Sequence, residues 1–178
     1  MTSPEAQHKV GRIEAVDLDP ATDRYPDLLR VLTYWERKRA DRFAPSRADI
    51  DPADLLDVLP RVMLADVIQE PLDFRYRLSG TAIRDVHGQE PTGLRPRDLN
   101  PPAYGALIHE HYCFAVQRRQ PLLHLITLDT ADRSRSYARL LVPLSEDGST
   151  VTMLMTADSK EQNTTALKNF FAMIMRLR

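Results

Sequence analysis

A chain of 178 residues, 43% hydrophobic and 28% charged, suits one globular domain with flanking elements. Its 24 Lys and Arg against 25 Asp and Glu leave a net charge of -1, so no strong field favours nucleic acid or a membrane surface. A single cysteine, Cys113, excludes an internal disulfide and fits a reducing cytosol. The N-terminus lacks the apolar core of a signal peptide, and no run approaches the roughly 20 apolar residues that span a bilayer. A cytoplasmic protein is expected.

Residues 1–24 are polar and broken by Pro4, Gly11 and Pro20, which reads as a flexible N-terminal arm; 11–16 is its one stretch patterned for a short strand. A helix is predicted from 25 to about 42. Pro26 sits where a first-turn proline is tolerated, Asp27 suits the positive helix start, and Leu28, Leu29, Leu32 and Trp35 form one stripe. After a loop, Asp51 caps a short helix with Pro52 at its first position, so 25–58 reads as a helical cap. Two strands come next, 61–69 and a second beginning at Phe74, as a hairpin around Glu70-Pro71-Leu72-Asp73. In the second, Phe74, Tyr76 and Leu78 alternate with Arg75 and Arg77, the pattern of a half-buried strand. Ser79-Gly80-Thr81 ends it, 82–86 reads as a short helix, and Gly88 and Gly93 punctuate the loop after that helix. A strand running into a short helix and a glycine-rich loop makes one wall of a small cavity.

A longer helix is predicted from about 103 to 119, with Tyr104, Leu107, Ile108, His111, Phe114 and Ala115 as its inward stripe. Three strands are predicted at 122–130, 136–145 and 150–157, the last two joined by Glu146-Asp147-Gly148-Ser149. Leu140-Leu141-Val142 and Met153-Leu154-Met155 are apolar on both faces, so the sheet needs cover on both sides. The helix at 103 suits one face and the helix at 25 the other. A final amphipathic helix occupies 159–178, with Phe170, Phe171 and Ile174 on its apolar stripe.

The order strand, strand, short helices, longer helix, three strands resembles a PAS domain. The motifs are similar in particular to a bacterial family of small stand-alone PAS-like proteins. They are Leu32-Thr33-Tyr34-Trp35-Glu36, Pro45-Ser46-Arg47, Asp49-Ile50-Asp51-Pro52, Leu59-Pro60, Tyr76-Arg77-Leu78-Ser79-Gly80-Thr81, Gly88 with Thr92-Gly93, and Leu140-Leu141-Val142-Pro143-Leu144-Ser145 before Asp147-Gly148. The resemblance implies an α+β fold whose core, 59–158, is a five-stranded antiparallel sheet in spatial order 2-1-5-4-3. Helices lie on one face, with an N-terminal helical cap and a C-terminal helix. It implies a sensing or protein-interaction role, not a defined reaction.

The candidate chemistry is sparse. His109 and His111 stand two apart on a helix and face different ways, so only His111 could reach the cavity and ligate haem iron; a hydrogen-bonded core histidine is the plainer reading. The Asn-Cys-Arg motif of flavin photosensors is missing, since Cys113 lies within the helix. No metal-ligand spacing, Walker loop or Gly-x-Ser-x-Gly elbow occurs, so no metal site, no catalytic residue and no enzyme activity are expected. A small organic guest in the cavity would touch Tyr76, Leu78, Ile83, Leu107, His111, Tyr112, His124 and Leu140; alternatively these side chains fill the space as plain core. The chain carries no kinase, cyclase or DNA-binding module, so its output is expected to pass to a regulatory protein partner. The stripes Leu28, Leu29, Leu32, Trp35 and Phe170, Phe171, Ile174 are the expected contact surfaces, one of them forming a homodimer. An enzyme or haem sensor using the cavity, and a purely structural module, are the competing readings.

Overall fold

The computed structural model describes residues 10–131, 133–162 and 164–176. In chain order it contains β1 (Val10–Leu18), α1 (Pro26–Arg39), three 3-10 turns (Arg47–Asp49, Pro52–Leu55 and Leu59–Arg61), β2 (Val62–Gln69), β3 (Leu72–Ser79), α2 (Thr81–His87), a further 3-10 turn (Pro96–Asp98), α3 (Pro102–Arg118), β4 (Leu122–Thr130), β5 (Ser134–Leu144), β6 (Met153–Asp158) and α4 (Thr164–Arg176). The strands form one antiparallel sheet in the order β1-β4-β5-β6-β2-β3.

The sheet therefore has six strands where the resemblance implies five. The five core strands keep their expected neighbours, and β1 is added beside β4. This corrects the expected flexible arm over 10–18; residues 1–9 lie outside the described residues. The strand forms because Ile13 pairs with Leu128, Ala15 with Ile126 and Leu18 with Leu123, each adding apolar surface to an existing face. The apolar residues of β1 do not alternate regularly and none of them is fully buried, so its own pattern is weak; β4 supplies the template.

The apolar runs of β5 and β6 separate by alternation onto the two faces. Leu141 and Leu154 join α2, α3 and α4 in one core cluster, while Leu140, Val142, Met153 and Met155 join α1 and the 3-10 turns in another. Helix α1 is fastened at both ends. Near its start, Asp27 accepts hydrogen bonds from Ser159 Oγ at 2.9 Å and from the Lys160 amide at 2.7 Å, and pairs with Arg61 at 3.4 Å. Near its end, Trp35 Nε1 donates to the Pro143 carbonyl at 2.8 Å.

Both stripes expected to meet a partner are instead internal. Leu28, Leu32 and Trp35 are buried under the sheet, with Leu29 half-buried, and Phe170, Phe171 and Ile174 are buried against α2 and α3. A sheet with two apolar faces draws in both helices, so neither stripe is left for a second subunit. Phe114, placed on the inward stripe of α3, is partly exposed, and Tyr112 is buried instead.

Two close approaches set the angle of the helices over the sheet. A Cβ on Gly80 would lie 2.3 Å from the Pro60 carbonyl oxygen, and one on Gly105 would lie 2.7 Å from that of Pro96. Each glycine lets a helix seat directly on a turn. A bulge shapes β3: Leu64 pairs with Leu78 and Ala65 with Tyr76, which leaves Arg77 as the extra residue. Phe74 and Tyr76 therefore face the α3 side, whereas Leu78 is turned to the α1 side with Leu64.

Candidate functional site

Alternation along β5 and β6 carries polar side chains into the core beneath α3. Tyr137 and Arg139 point there from β5, and Thr156 and Asp158 from β6. Tyr76 of β3, His87 of α2, and Tyr104 and Tyr112 of α3 close over them around a cavity of about 20 Å³. A single buried water needs roughly 10–15 Å³, so the free space is water-sized. The Tyr104 and Tyr137 hydroxyls are 2.7 Å apart and satisfy each other. Burial raises the pKa of both phenols, so they act as neutral donors and acceptors.

Arg139 is only 4% exposed. Its Nη2 donates to His111 Nδ1 at 2.7 Å, and its Nε has no partner among the described residues. Arginine only donates, so His111 must accept at Nδ1 and carry its proton, when neutral, on Nε2. The His111 ring lies flat on His124, with centroids 3.7 Å apart. Burial first, and the Arg139 charge second, holds His124 down to about 3 and His111 lower still. Both histidines are neutral near pH 7.

These groups belong to one row across four strands. Asp17 pairs with His124, His124 with Arg139, and Arg139 with Asp158. The outer end is loose: Asp17 is largely exposed and lies 3.5 Å from His124 Nε2. At the inner end, Asp158 and Arg139 both line the cavity but form no ion pair within 4 Å. Burial pushes the Asp158 carboxyl up to about 7, against the pull of Arg139 and Arg61. Asp158, His87 and Tyr137 also border a narrow gap under α4, closed by Gln162, Leu167 and Phe171. Asp158 thus stands between the cavity and the C-terminal helix.

Of the expected ligand contacts, Tyr76 and Tyr112 line the cavity. Ile83 is buried in the same cluster and Leu107 packs on its edge, but neither lines the space. His111 and His124 stack beside it and reach it through Arg139. Leu78 and Leu140 are corrected to the opposite face, the first by the bulge at Arg77 and the second by its alternation with Leu141. Arg139, Asp158, Tyr137 and His87 are site residues that the sequence reading misses. For Arg139 and Asp158 the signal is a charged residue in, or at the end of, an apolar strand, a placement rare unless the charge is paired; Tyr137 and His87 carry no comparable signal. Elsewhere, Cys113 is partly buried, and burial raises its thiol pKa, which keeps it protonated. Its Sγ lies 3.5 Å from His109 Nε2.

An antiparallel sheet that holds a polar cavity under its helices defines an α+β domain. The PAS domain family model matches residues 24–167, and the chain belongs to that family, whose members are generally sensory or regulatory modules. No curated protein matches the chain. Among solved structures, the chain is similar to the PAS domain of Bordetella pertussis BvgS, at 17% identity and a TM-score of 0.49 over 70% of this chain and 93% of that one. It is also similar to an RNA-binding light-oxygen-voltage receptor, at 15% identity and a TM-score of 0.46 over 96% of this chain and 43% of that one. Among the described residues, no helix is long and apolar enough to cross a membrane.

Proposed function

We propose that this PAS domain is a cytoplasmic regulatory module that responds to the charge state of its polar cavity and passes the response through α4 to a protein partner. The observation that carries the reading is Asp158. It shares a cavity with Arg139 without touching it, and the same carboxyl lies under α4. A proton, or a water-sized polar guest set between guanidinium and carboxyl, changes what α4 packs upon. The cavity's small volume supports this over an organic ligand of drug size, which needs about 300 Å³ or more.

The groups facing Asp158 are Arg139 and Tyr137 of β5, Tyr104 of α3, His87 of α2 and Gln162 before α4, with Arg61 donating to its backbone carbonyl at 2.9 Å. The folded pKa, about 7, lies above the ordinary 3.8. The stabilisation it provides is therefore whole below the unfolded pKa and is lost as pH rises through 7. Asp158→Asn removes that dependence. Urea unfolding should show the wild type losing on the order of 2 kcal/mol relative to Asp158→Asn between pH 5 and pH 8. A difference that stays constant across that range would remove Asp158 as the responsive group.

A further inference from the structure

On the sheet face away from the polar cavity, the bulge at Arg77 sets Leu78 beside Leu64 at a pocket of about 190 Å³. Its walls are aliphatic, with Ile50, Leu55, Leu59, Leu64, Leu78 and Met155 among them, and Arg47 is its one charged lining residue. An apolar hole of about 150 Å³ is already large enough to take up benzene. Leu78 remains 42% exposed here, so a guest can enter from solvent.

The pocket is held open by its own framework. The 3-10 turns that form one wall are pinned by three hydrogen bonds: the Ser46 amide to Asp49 Oδ2 at 2.8 Å, the Ala53 amide to Asp51 Oδ1 at 2.9 Å, and the Asp51 amide to the Tyr34 hydroxyl at 2.9 Å. The first two fix the shape of the turns, and the third ties them to α1. Arg47 Nη1 donates to the Ile50 carbonyl at 3.0 Å, which orients the guanidinium, and Arg47 forms no ion pair among the described residues. Its remaining donors can take both oxygens of a carboxylate. No aromatic ring lines the pocket, so nothing there favours a ring by stacking.

We propose that this pocket binds a straight-chain aliphatic carboxylate, with the chain along Leu55, Leu64 and Met155 and the carboxylate on Arg47. The inference is independent of the polar cavity, which lies on the other face of the sheet. Calorimetric titration of the full chain with hexanoate, octanoate and 1-octanol tests it. Octanoate should bind roughly tenfold tighter than hexanoate, the worth of two buried methylenes, and tighter than octanol. Arg47→Gln should weaken octanoate to the level of octanol and leave octanol unchanged. Leu78→Trp, which fills the mouth from an exposed position, should abolish binding of both while retaining a cooperative melt. Absence of octanoate binding, equal affinity for octanoate and octanol, or octanoate binding unchanged in Leu78→Trp would overturn the proposal.

Discussion

Arg139 and Asp158 carry opposite charges on neighbouring strands, yet neither neutralises the other by contact. Each is held in the core by different partners: Arg139 by His111, and Asp158 by its surroundings on β6 and under α4. Arg139 is buried and Asp158 partly so, and the Arg139 charge favours the ionised carboxyl, so removing Arg139 leaves that carboxylate uncompensated. Arg139→Met is therefore expected to destabilise the fold by about 3 kcal/mol at pH 8, and by less at pH 5, where Asp158 is protonated. Adding Asp158→Asn should restore most of the loss at pH 8. Denaturant melts of the two single variants and the double variant form the cycle that checks it; additive losses would mean that the two groups do not interact. At this scale the sequence is only partly readable. Tyr76 can be placed by its strand alternation, but Tyr112 lies off the stripe read for its helix, and Arg139 sits beside the apolar Leu140-Leu141-Val142 run, which dominates its surroundings. Only the register of β5 against β4 and β6 shows that His124, Arg139 and Asp158 share a rank.

Elements are legible where periodicity is clean. The alternation of Phe74 and Tyr76 in β3, the proline start of α1 and the glycine turn before β6 each arise from local chemistry that acts within a few residues. Two features depend on contacts distant in sequence. The first is β1, whose irregularly spaced apolar residues gain their value from β4. The second is the bulge in β3. Phe74, Tyr76 and Leu78 read as a single face by period two, and one inserted residue moves Leu78 to the other. Gly80 comes after that bulge and lets α2 begin directly on the Leu59–Arg61 turn. Its φ of -63° is open to any residue, so the constraint is space alone. Gly80→Ala should destabilise by roughly 1–3 kcal/mol, the usual range for overpacking against atoms that cannot move aside. Chemical unfolding measures this directly. A neutral Gly80→Ala would mean that α2 can shift away from the turn.

At the scale of the molecule, the sheet is a partition between two different interiors. On the α3 side a core of aromatic rings surrounds Arg139, Asp158 and a water-sized cavity; on the α1 side an aliphatic core leaves an open pocket next to Arg47. The need for cover on both faces is legible in the sequence, since β5 and β6 are apolar on both. So are two amphipathic helices, but amphipathicity alone does not say whether a stripe meets its own sheet or a partner. Here both are claimed by the sheet. Helix α4 is consequently part of the fold, and its Leu167 and Phe171 border the same gap as Asp158.

The coupling of Asp158 to α4 is best tested by hydrogen–deuterium exchange of the α4 amides at pH 6 and pH 8, corrected for intrinsic exchange, in the wild type and in Asp158→Asn. Opening α4 hydrates a carboxyl whose burial favours the neutral form, so the charged form should favour opening. The wild type should lose about tenfold in α4 protection from pH 6 to pH 8, while Asp158→Asn keeps the same protection at both. Equal α4 protection of the wild type at the two pH values would contradict the account.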